Sequence, residues 1–218
     1  MKIIRIAALI GSIFLSFQPF AAPYPTTSKT PAPIQKQALK RIIIDPGHGG
    51  SDIGARGRYS TEKDISLAVA LKLEVQLKQA LPDVEILMTR KTDVFNSVVE
   101  KADIANRLKG DLFICIHANA GSSSAYGTET YVLGLHRTEA QQRVMERENS
   151  IIALEDDKGA KYKDFDLSPD AIIQLQLQGS VYLNHSIEFA EYLQKEFKRI
   201  GRYDRGVKQA GFLVLYKT

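Results

Sequence analysis

The segment between residues 41 and 77 is the part of the chain that most restricts its fold. A short β-branched run, Arg41-Ile-Ile-Ile-Asp45, is followed by Pro46-Gly47 and by a loop rich in glycine. Thr61-x-x-Asp64 then resembles a capping box, and apolar residues recur at helical spacing as far as Leu77. This pattern predicts a buried strand, a tight loop and an amphipathic helix.

The same alternation of strand and helix continues along the chain. Further strands are predicted over 84–88, 111–116 and 128–133, further helices over 96–109, 138–154 and 184–199, and the approach to another strand over 211–216. Strands that alternate with helices form parallel sheets. We therefore predict an α/β fold: a single domain with a largely parallel twisted sheet, helices on both faces, and a helical insertion at about 136–179.

The first 39 residues have a different composition. Residues 1–22 combine a positive start, a short apolar stretch and small residues, which is the order of a secretory signal peptide, and residues 23–39 form a Pro/Thr-rich linker. The apolar stretch is shorter than the roughly 20 residues of a membrane span. We expect a secreted or periplasmic protein whose domain covers 40–218 and has no membrane contact after cleavage.

Charge and cysteine content exclude some functional classes. Without Lys2 and Arg5 of the leader, 27 basic residues face 25 acidic ones, so a nucleic-acid partner, which requires a clustered basic face, is not expected. The single cysteine, Cys115, cannot form an internal disulfide. Because Cys115 lies within an apolar run, we interpret it as a small buried side chain.

Two histidines and one glutamate are predicted to meet at one edge of the sheet. His48 follows the first strand, His117 follows the third, and Glu62 begins the helix after the His48 loop. Parallel sheets place their sites beyond the carboxyl ends of the strands. Two imidazoles and one carboxylate, with one position open, are a catalytic zinc set. Each residue also has a simpler interpretation on its own. His48 could make a hydrogen bond within its loop, Glu62 could complement the helix N-terminus, and His117 could be a core residue at the end of a strand.

Several motifs in order resemble one known family. Arg41-Ile-Ile-Ile-Asp-Pro-Gly-His48-Gly-Gly, Glu62-Lys63-Asp64, Ile116-His117-Ala118-Asn119 and Gly127-Thr-Glu129-Thr-Tyr131 are similar to the zinc-dependent N-acetylmuramoyl-L-alanine amidases of the third amidase family. The resemblance implies one Zn²⁺ held by His48, Glu62 and His117. It also implies hydrolysis of the peptidoglycan amide between N-acetylmuramic acid and L-alanine.

The resemblance also implies a glutamate general base on a late strand. No such segment precedes Thr218, so we expect the natural chain to continue beyond this residue. Glu129 lies within a strand, which favours a structural role for it over that of a base. The alternative function is a non-catalytic, zinc-containing domain that binds or regulates the cell wall. A phosphate-binding loop is disfavoured, because no Gly-Lys-Ser/Thr sequence follows the glycines.

The predicted insertion suggests regulation. In some members of the family an inserted helix covers the zinc, and here Glu155-Asp156-Asp157 could place a carboxylate over the metal. The alternative is a solvated turn. An activator protein acting on the insertion would then uncover the site. Outside the ligand set, Asp45 is expected to orient the His48 ring or a loop amide, and Asn119 to do the same beyond His117.

Overall fold

The computed structural model describes residues 38–121, 124–155, 159–163 and 165–218. The strands are β1 (Arg41–Pro46), β2 (Glu85–Met88), β3 (Leu112–Ile116), β4 (Thr128–Leu133) and β5 (Asp204–Ala210). The helices are α1 (Glu62–Ala80), α2 (Val98–Arg107), α3 (Glu139–Asn149), α4 (Pro169–Gln178), α5 (Ser180–Arg199) and α6 (Leu213–Lys217). Two 3₁₀ helices, Ser150–Leu154 and Ala160–Tyr162, lie between α3 and α4. The predicted leader, and the linker as far as Gln37, fall outside the described residues.

The five described strands pair in parallel only. Three strands pair in the order β2-β1-β3, with Ile43 opposite Leu87 on one side and Phe113 on the other. The remaining strands, β4 and β5, form a separate parallel pair with an irregular register between Thr128 and Thr130. The α/β class and the parallel sheet are thus confirmed, and the hydrogen bonds divide the described strands into two groups.

The two faces of β1 bury different chemistry because successive side chains along a strand point to opposite sides. Ile42 and Ile44 pack with Ala70 of α1 and with two residues of β2 in an apolar cluster. The opposite face carries Ile43 and Asp45, and Asp45 contacts Lys101 of α2. Helices α1 and α2 therefore cover opposite faces of the first sheet, and the α2 side contains buried charge.

Helix α2 begins two residues later than expected. Ser97 accepts a hydrogen bond from the Glu100 N–H, and the Glu100 carboxylate accepts one from the Ser97 N–H, which closes a capping box. The apolar spacing of Val99, Ile104 and Leu108 predicts that these residues face inward. They are only partly buried, whereas Lys101, Ala102 and Ala105 are buried. Hydrophobic spacing does not find this buried face because one of its residues is a lysine.

The C-terminal segment differs from the predicted strand over 211–216. The strand lies earlier, at β5, and the run from Leu213 onward forms α6. Short apolar runs do not distinguish strand from helix by periodicity. Strand β5 also contains several charged and polar residues, which hid it. The predicted insertion is helical, with α3, the two 3₁₀ helices and α4.

None of the described helices combines the length and the apolar content that a bilayer-spanning helix requires.

Candidate metal centre

The structure brings His48, Glu62 and His117 together and adds a fourth side chain, Glu148 of α3. One ligand atom from each lies within 4.8 Å of the others. His48 Nε2 is 3.1 Å from Glu62 Oε2 and 3.3 Å from Glu148 Oε2. His117 Nδ1 is 3.1 Å from Glu62 Oε1 and 3.1 Å from Glu148 Oε2. Two imidazoles and two carboxylates thus converge on one small volume.

The glycine-rich loop gives the two histidine rings the space they need. His48 itself has a positive φ of 59°, a strained conformation for a residue with a Cβ atom. A Cβ atom on Gly54 would lie 2.5 Å from His48 Cδ2, and one on Gly47 would lie 2.6 Å from His117 Nε2. The rings pack edge to face with their centroids 4.8 Å apart. Only glycine leaves room for both rings at these positions.

Glu62 is fixed by main-chain donors at the start of α1. Its side chain is almost completely buried, and each carboxylate oxygen accepts one main-chain hydrogen bond. Oε2 accepts from the Ala55 N–H at 2.9 Å, and Oε1 accepts from the Ala118 N–H at 2.8 Å. Because Ala118 directly follows His117, this second bond ties the glutamate to the end of β3.

Glu148 reaches the cluster because α3 lies against the end of the first sheet. Its neighbours in sequence anchor the helix: Arg147 donates to Asn119 Oδ1 at 3.3 Å. Asn149 donates to the Gly211 carbonyl at 3.0 Å and accepts from the Leu213 N–H at 3.1 Å. Three consecutive side chains of α3 therefore face the body of the domain.

The cluster is strongly coupled electrostatically. Burial lowers the pKa of the His48 imidazole, but Asp52, Glu148 and Glu62 outweigh this effect and raise the pKa to about 10. Burial raises the pKa of Glu62, but the close contacts with the His117 and His48 rings hold it well below its ordinary range, and the same applies to Glu148. The carboxylates are therefore ionised, and their negative charge attracts either protons or a cation.

The donor set fits a divalent metal ion. His48 Nε2 and Glu148 Oε2 are buried, yet neither makes a hydrogen bond of acceptable geometry. Buried polar atoms normally have partners, so atoms that point at a common centre without bonding one another fit a cation between them. Asp52 lies 2.8 Å from His48 Nδ1, which leaves Nε2 directed at the cluster. This is the outer-shell arrangement found at metal-binding histidines.

Asp45 does not orient His48, which corrects the expectation from the sequence. It is fully buried, accepts from Thr89 Oγ1, and lies 3.2 Å from Lys101 Nζ. Cys115 Sγ lies 2.9 Å from Asp45 Oδ2, so this cysteine belongs to a polar network and not to an apolar core. Burial, with the nearby Asp45 carboxylate, raises the pKa of the thiol.

Two further polar residues have partners outside the cluster. Asn119 donates to Glu129 Oε1 and accepts from Arg147, so its side chain bonds to these two residues and not to His117. Glu129 also pairs with Arg205 at 2.8 Å and with Lys208. Its place in this ion-pair network agrees with the structural role expected for it.

Of the three acids considered above as a cover for the metal, Glu155-Asp156-Asp157, the structure describes only Glu155. Glu155 Oε1 accepts from Tyr162 at 2.6 Å, and Oε2 lies 2.6 Å from Lys161, so Glu155 is outside the metal cluster. Asp156 and Asp157 lie outside the described residues. Glu148 takes the position over the histidines instead.

A signal for Glu148 was present in the sequence. Gln141, Val144, Met145 and Glu148 recur at helical spacing and are buried or partly buried in α3. An acid on the inward stripe of a helix requires a partner. The run of charges around it concealed this position.

Comparison with known proteins identifies the family. Residues 42–218 match the family described as N-acetylmuramoyl-L-alanine amidase, Amidase_3. The sporulation-specific N-acetylmuramoyl-L-alanine amidase of Bacillus subtilis is 38% identical over 94 residues, which cover 43% of this chain and 36% of that protein. N-acetylmuramoyl-L-alanine amidase AmiC of Escherichia coli is 30% identical over 181 residues, covering 80% and 42% respectively.

Solved structures agree with the sequence comparison. The catalytic domain of CwlV, an N-acetylmuramoyl-L-alanine amidase from Bacillus (Paenibacillus) polymyxa var. colistinus, is 32% identical. The similarity covers 83% of this chain and 75% of that one, with a TM-score of 0.50. The chain thus spans less than half the length of the two curated relatives but three quarters of this catalytic domain. Its sequence and fold place the chain in the Amidase_3 family of N-acetylmuramoyl-L-alanine amidases.

Proposed function

We propose that the chain is a zinc-dependent cell-wall amidase, which hydrolyses the amide between N-acetylmuramic acid and L-alanine in peptidoglycan. The observation that carries this proposal is the convergence of His48, Glu62 and His117 in a member of this family. We assign these three residues as the ligands of one Zn²⁺. Export to the periplasm or the cell surface, which the leader predicts, would bring the protein to this substrate.

The chemistry follows from this donor set. When bound, Zn²⁺ lowers the pKa of a water molecule to about 7 and polarises a carbonyl group, as amide hydrolysis requires. The chain supplies the fixed geometry: Asp52 orients His48, and the Ala55 and Ala118 N–H groups orient Glu62. Ligands held in this way need little rearrangement when the cation binds.

The fourth side chain supports regulation of the site. Catalytic zinc sites keep one position open for water or substrate. Glu148 Oε2 lies close to both histidines and would take that position. We infer that α3 holds the site closed and that an activator protein acting on the insertion would withdraw Glu148.

The activity is tested with the protein as its own cell produces it, purified and supplied with Zn²⁺ and peptidoglycan. Amidase activity releases stem peptides with a free L-alanine amine, which mass spectrometry detects. His48→Ala and His117→Ala should each lose bound zinc and hydrolysis, whereas the exposed His185→Ala should retain both. Zinc and wall binding without peptide release would favour the alternative, a non-catalytic domain. Full zinc occupancy in His48→Ala would contradict the ligand assignment.

The closed state is tested separately. Glu148→Gln, or deletion of Arg137 to Gly179, should raise basal hydrolysis, while Glu146→Gln on the exposed side of the same helix should not. If a folded Glu148→Gln protein is no faster than the parent, α3 does not inhibit the site.

A further inference from the structure

Arg90 is a buried arginine that lies behind the metal centre and takes no part in the chemistry described above. Only 3% of the residue is exposed. Its hydrogen bonds in the described part of the chain go to carbonyl groups and one hydroxyl. The acceptors are the carbonyl oxygens of Pro46 (3.1 Å), Gly47 (2.8 Å), Lys63 (3.0 Å) and Thr92 (3.2 Å) and the Ser66 hydroxyl (3.3 Å).

Two of these acceptors are the chain neighbours of assigned ligands. Gly47 directly precedes His48, and Lys63 directly follows Glu62. Nη2 of Arg90 bonds to both carbonyls at once. One nitrogen atom therefore sets the separation between the strand-end loop that carries the histidine and the helix start that carries the glutamate.

The Gly47 peptide extends this link to the third ligand. Its N–H donates to the Ile116 carbonyl at 2.9 Å, and Ile116 directly precedes His117. Its carbonyl accepts a second hydrogen bond from Ser66 Oγ at 2.7 Å. The main chain of Gly47 thus bonds to β3 through its N–H and to α1 and Arg90 through its carbonyl.

The chemistry of the guanidinium group explains why arginine is needed here. It is planar and presents five donors in a fixed fork, whereas lysine presents a compact ammonium group on a flexible chain. A buried cation is costly unless its donors are satisfied, and here carbonyl oxygens satisfy them. Burial accordingly lowers the pKa of Arg90. A cation placed so that it bonds several main-chain carbonyls fixes the positions of those peptides relative to one another.

We propose that Arg90 is a positioning residue of the metal centre, which presets the distance between His48 and Glu62 before the cation binds. This inference rests on the proposed metal function. Without the fork, the His48 loop, with its strained backbone, relaxes away from α1 and the ligands must be ordered when zinc binds. Loss of such outer-shell contacts typically weakens metal binding by about 10–100-fold.

The experiment compares the full-length wild-type chain with Arg90→Lys, Arg90→Met and the control Arg41→Lys. Arg41 begins β1, at the end of the strand away from the His48 loop, and pairs with Glu85 on the surface at 2.8 Å. Zinc affinity is measured by competition with a chromophoric chelator, coordination by the absorption spectrum of the Co²⁺-substituted protein, and metal-free stability by urea unfolding.

We expect Arg90→Lys to bind zinc about 10–100-fold more weakly, with an altered Co²⁺ spectrum. We expect Arg90→Met to bind more weakly still and Arg41→Lys to match the wild type. A purely structural role would lower the stability of Arg90→Lys but leave the zinc affinity and the Co²⁺ spectrum of the folded protein unchanged. That result would overturn the proposal.

Two other outcomes are also decisive. If the wild-type chain binds no zinc, the proposed function fails, and the inference about Arg90 fails with it for that separate reason. If both Arg90 variants fail to fold, Ser66→Ala replaces them, because it removes one of the two donors to the Gly47 carbonyl. Weaker zinc binding by folded Ser66→Ala would support the proposed positioning of the Gly47 carbonyl, and wild-type affinity would refute it.

Discussion

Glu62 and Glu148 meet at the same centre, but they are held there in different ways. Glu62 uses both carboxylate oxygens to accept main-chain hydrogen bonds, from Ala55 and Ala118. Glu148 shares one oxygen with Arg147 of its own helix, while Oε2 makes no hydrogen bond. Glu62 is held by the core of the fold, whereas the position of Glu148 depends on where α3 lies. A site of this kind can be opened by moving one helix without disturbing the other three residues.

The largest effect is expected in the core. Lys101→Met leaves the fully buried Asp45 without its cation, and breaking a buried pair typically costs about 3–5 kcal/mol. Arg143→Met removes an exposed pair with Glu139 in the insertion and should cost about 1 kcal/mol or less. Urea unfolding of both variants measures the difference. Equal losses would show that the two regions do not differ in this way.

Glycine substitutions test how tightly the metal centre is packed relative to an open turn elsewhere in the domain. Gly54 has φ +63°, and a Cβ atom there would meet the His48 ring, so Gly54→Ala should cost about 2–3 kcal/mol and weaken zinc binding. Gly201 has φ +82° with open space around it, so Gly201→Ala should cost about 1 kcal/mol and leave zinc binding intact. Wild-type zinc affinity in Gly54→Ala would contradict the tight packing of the ring.

Acid should weaken the ion-pair network that joins Glu129 of β4 to Arg205 and Lys208 of β5. Hydrogen bonds with Lys208 and Arg205 outweigh the effect of burial and hold the pKa of Glu129 below its ordinary value. Its contribution to stability is therefore present above the unfolded-state pKa and is lost as the pH falls through the folded-state pKa. Glu129→Gln should cost about 2 kcal/mol at pH 7. The stabilities of the two proteins should converge on acidification, and a constant gap down to pH 2 would exclude this cause.

The smallest effect is expected at the anchor of the insertion. Asn149→Ala removes the hydrogen bonds with Gly211 and Leu213 and should cost about 1–2 kcal/mol locally. Hydrogen exchange of α3 should accelerate about tenfold while β1 remains protected. Equal acceleration in β1 would mean that α3 opens only when the whole domain unfolds.

The convergence of His48, Glu62 and His117 could be predicted from the sequence because their positions follow from local patterns. A β-branched run, glycines and a capping motif place His48 and Glu62 within one strand–loop–helix unit, and the third strand predicts His117. The α/β class followed from the same alternation. Residues whose roles depend on tertiary packing were missed: Glu148 lies in a charged run, and Lys101 is buried where α2 packs on the sheet and pairs it with Asp45. No periodicity reveals such partners.

The spacing of the four converging residues has a consequence for the folding of the chain. Glu62 follows His48 by 14 positions, His117 follows Glu62 by 55, and Glu148 follows His117 by 31. A cation bound by all four would close three loops at once, and loop closure removes conformational entropy from the unfolded chain. It would also favour the folded state by mass action. In this closed state the proposed cofactor would act as a cross-link between the core and the insertion, and it would become a catalyst only when Glu148 is withdrawn.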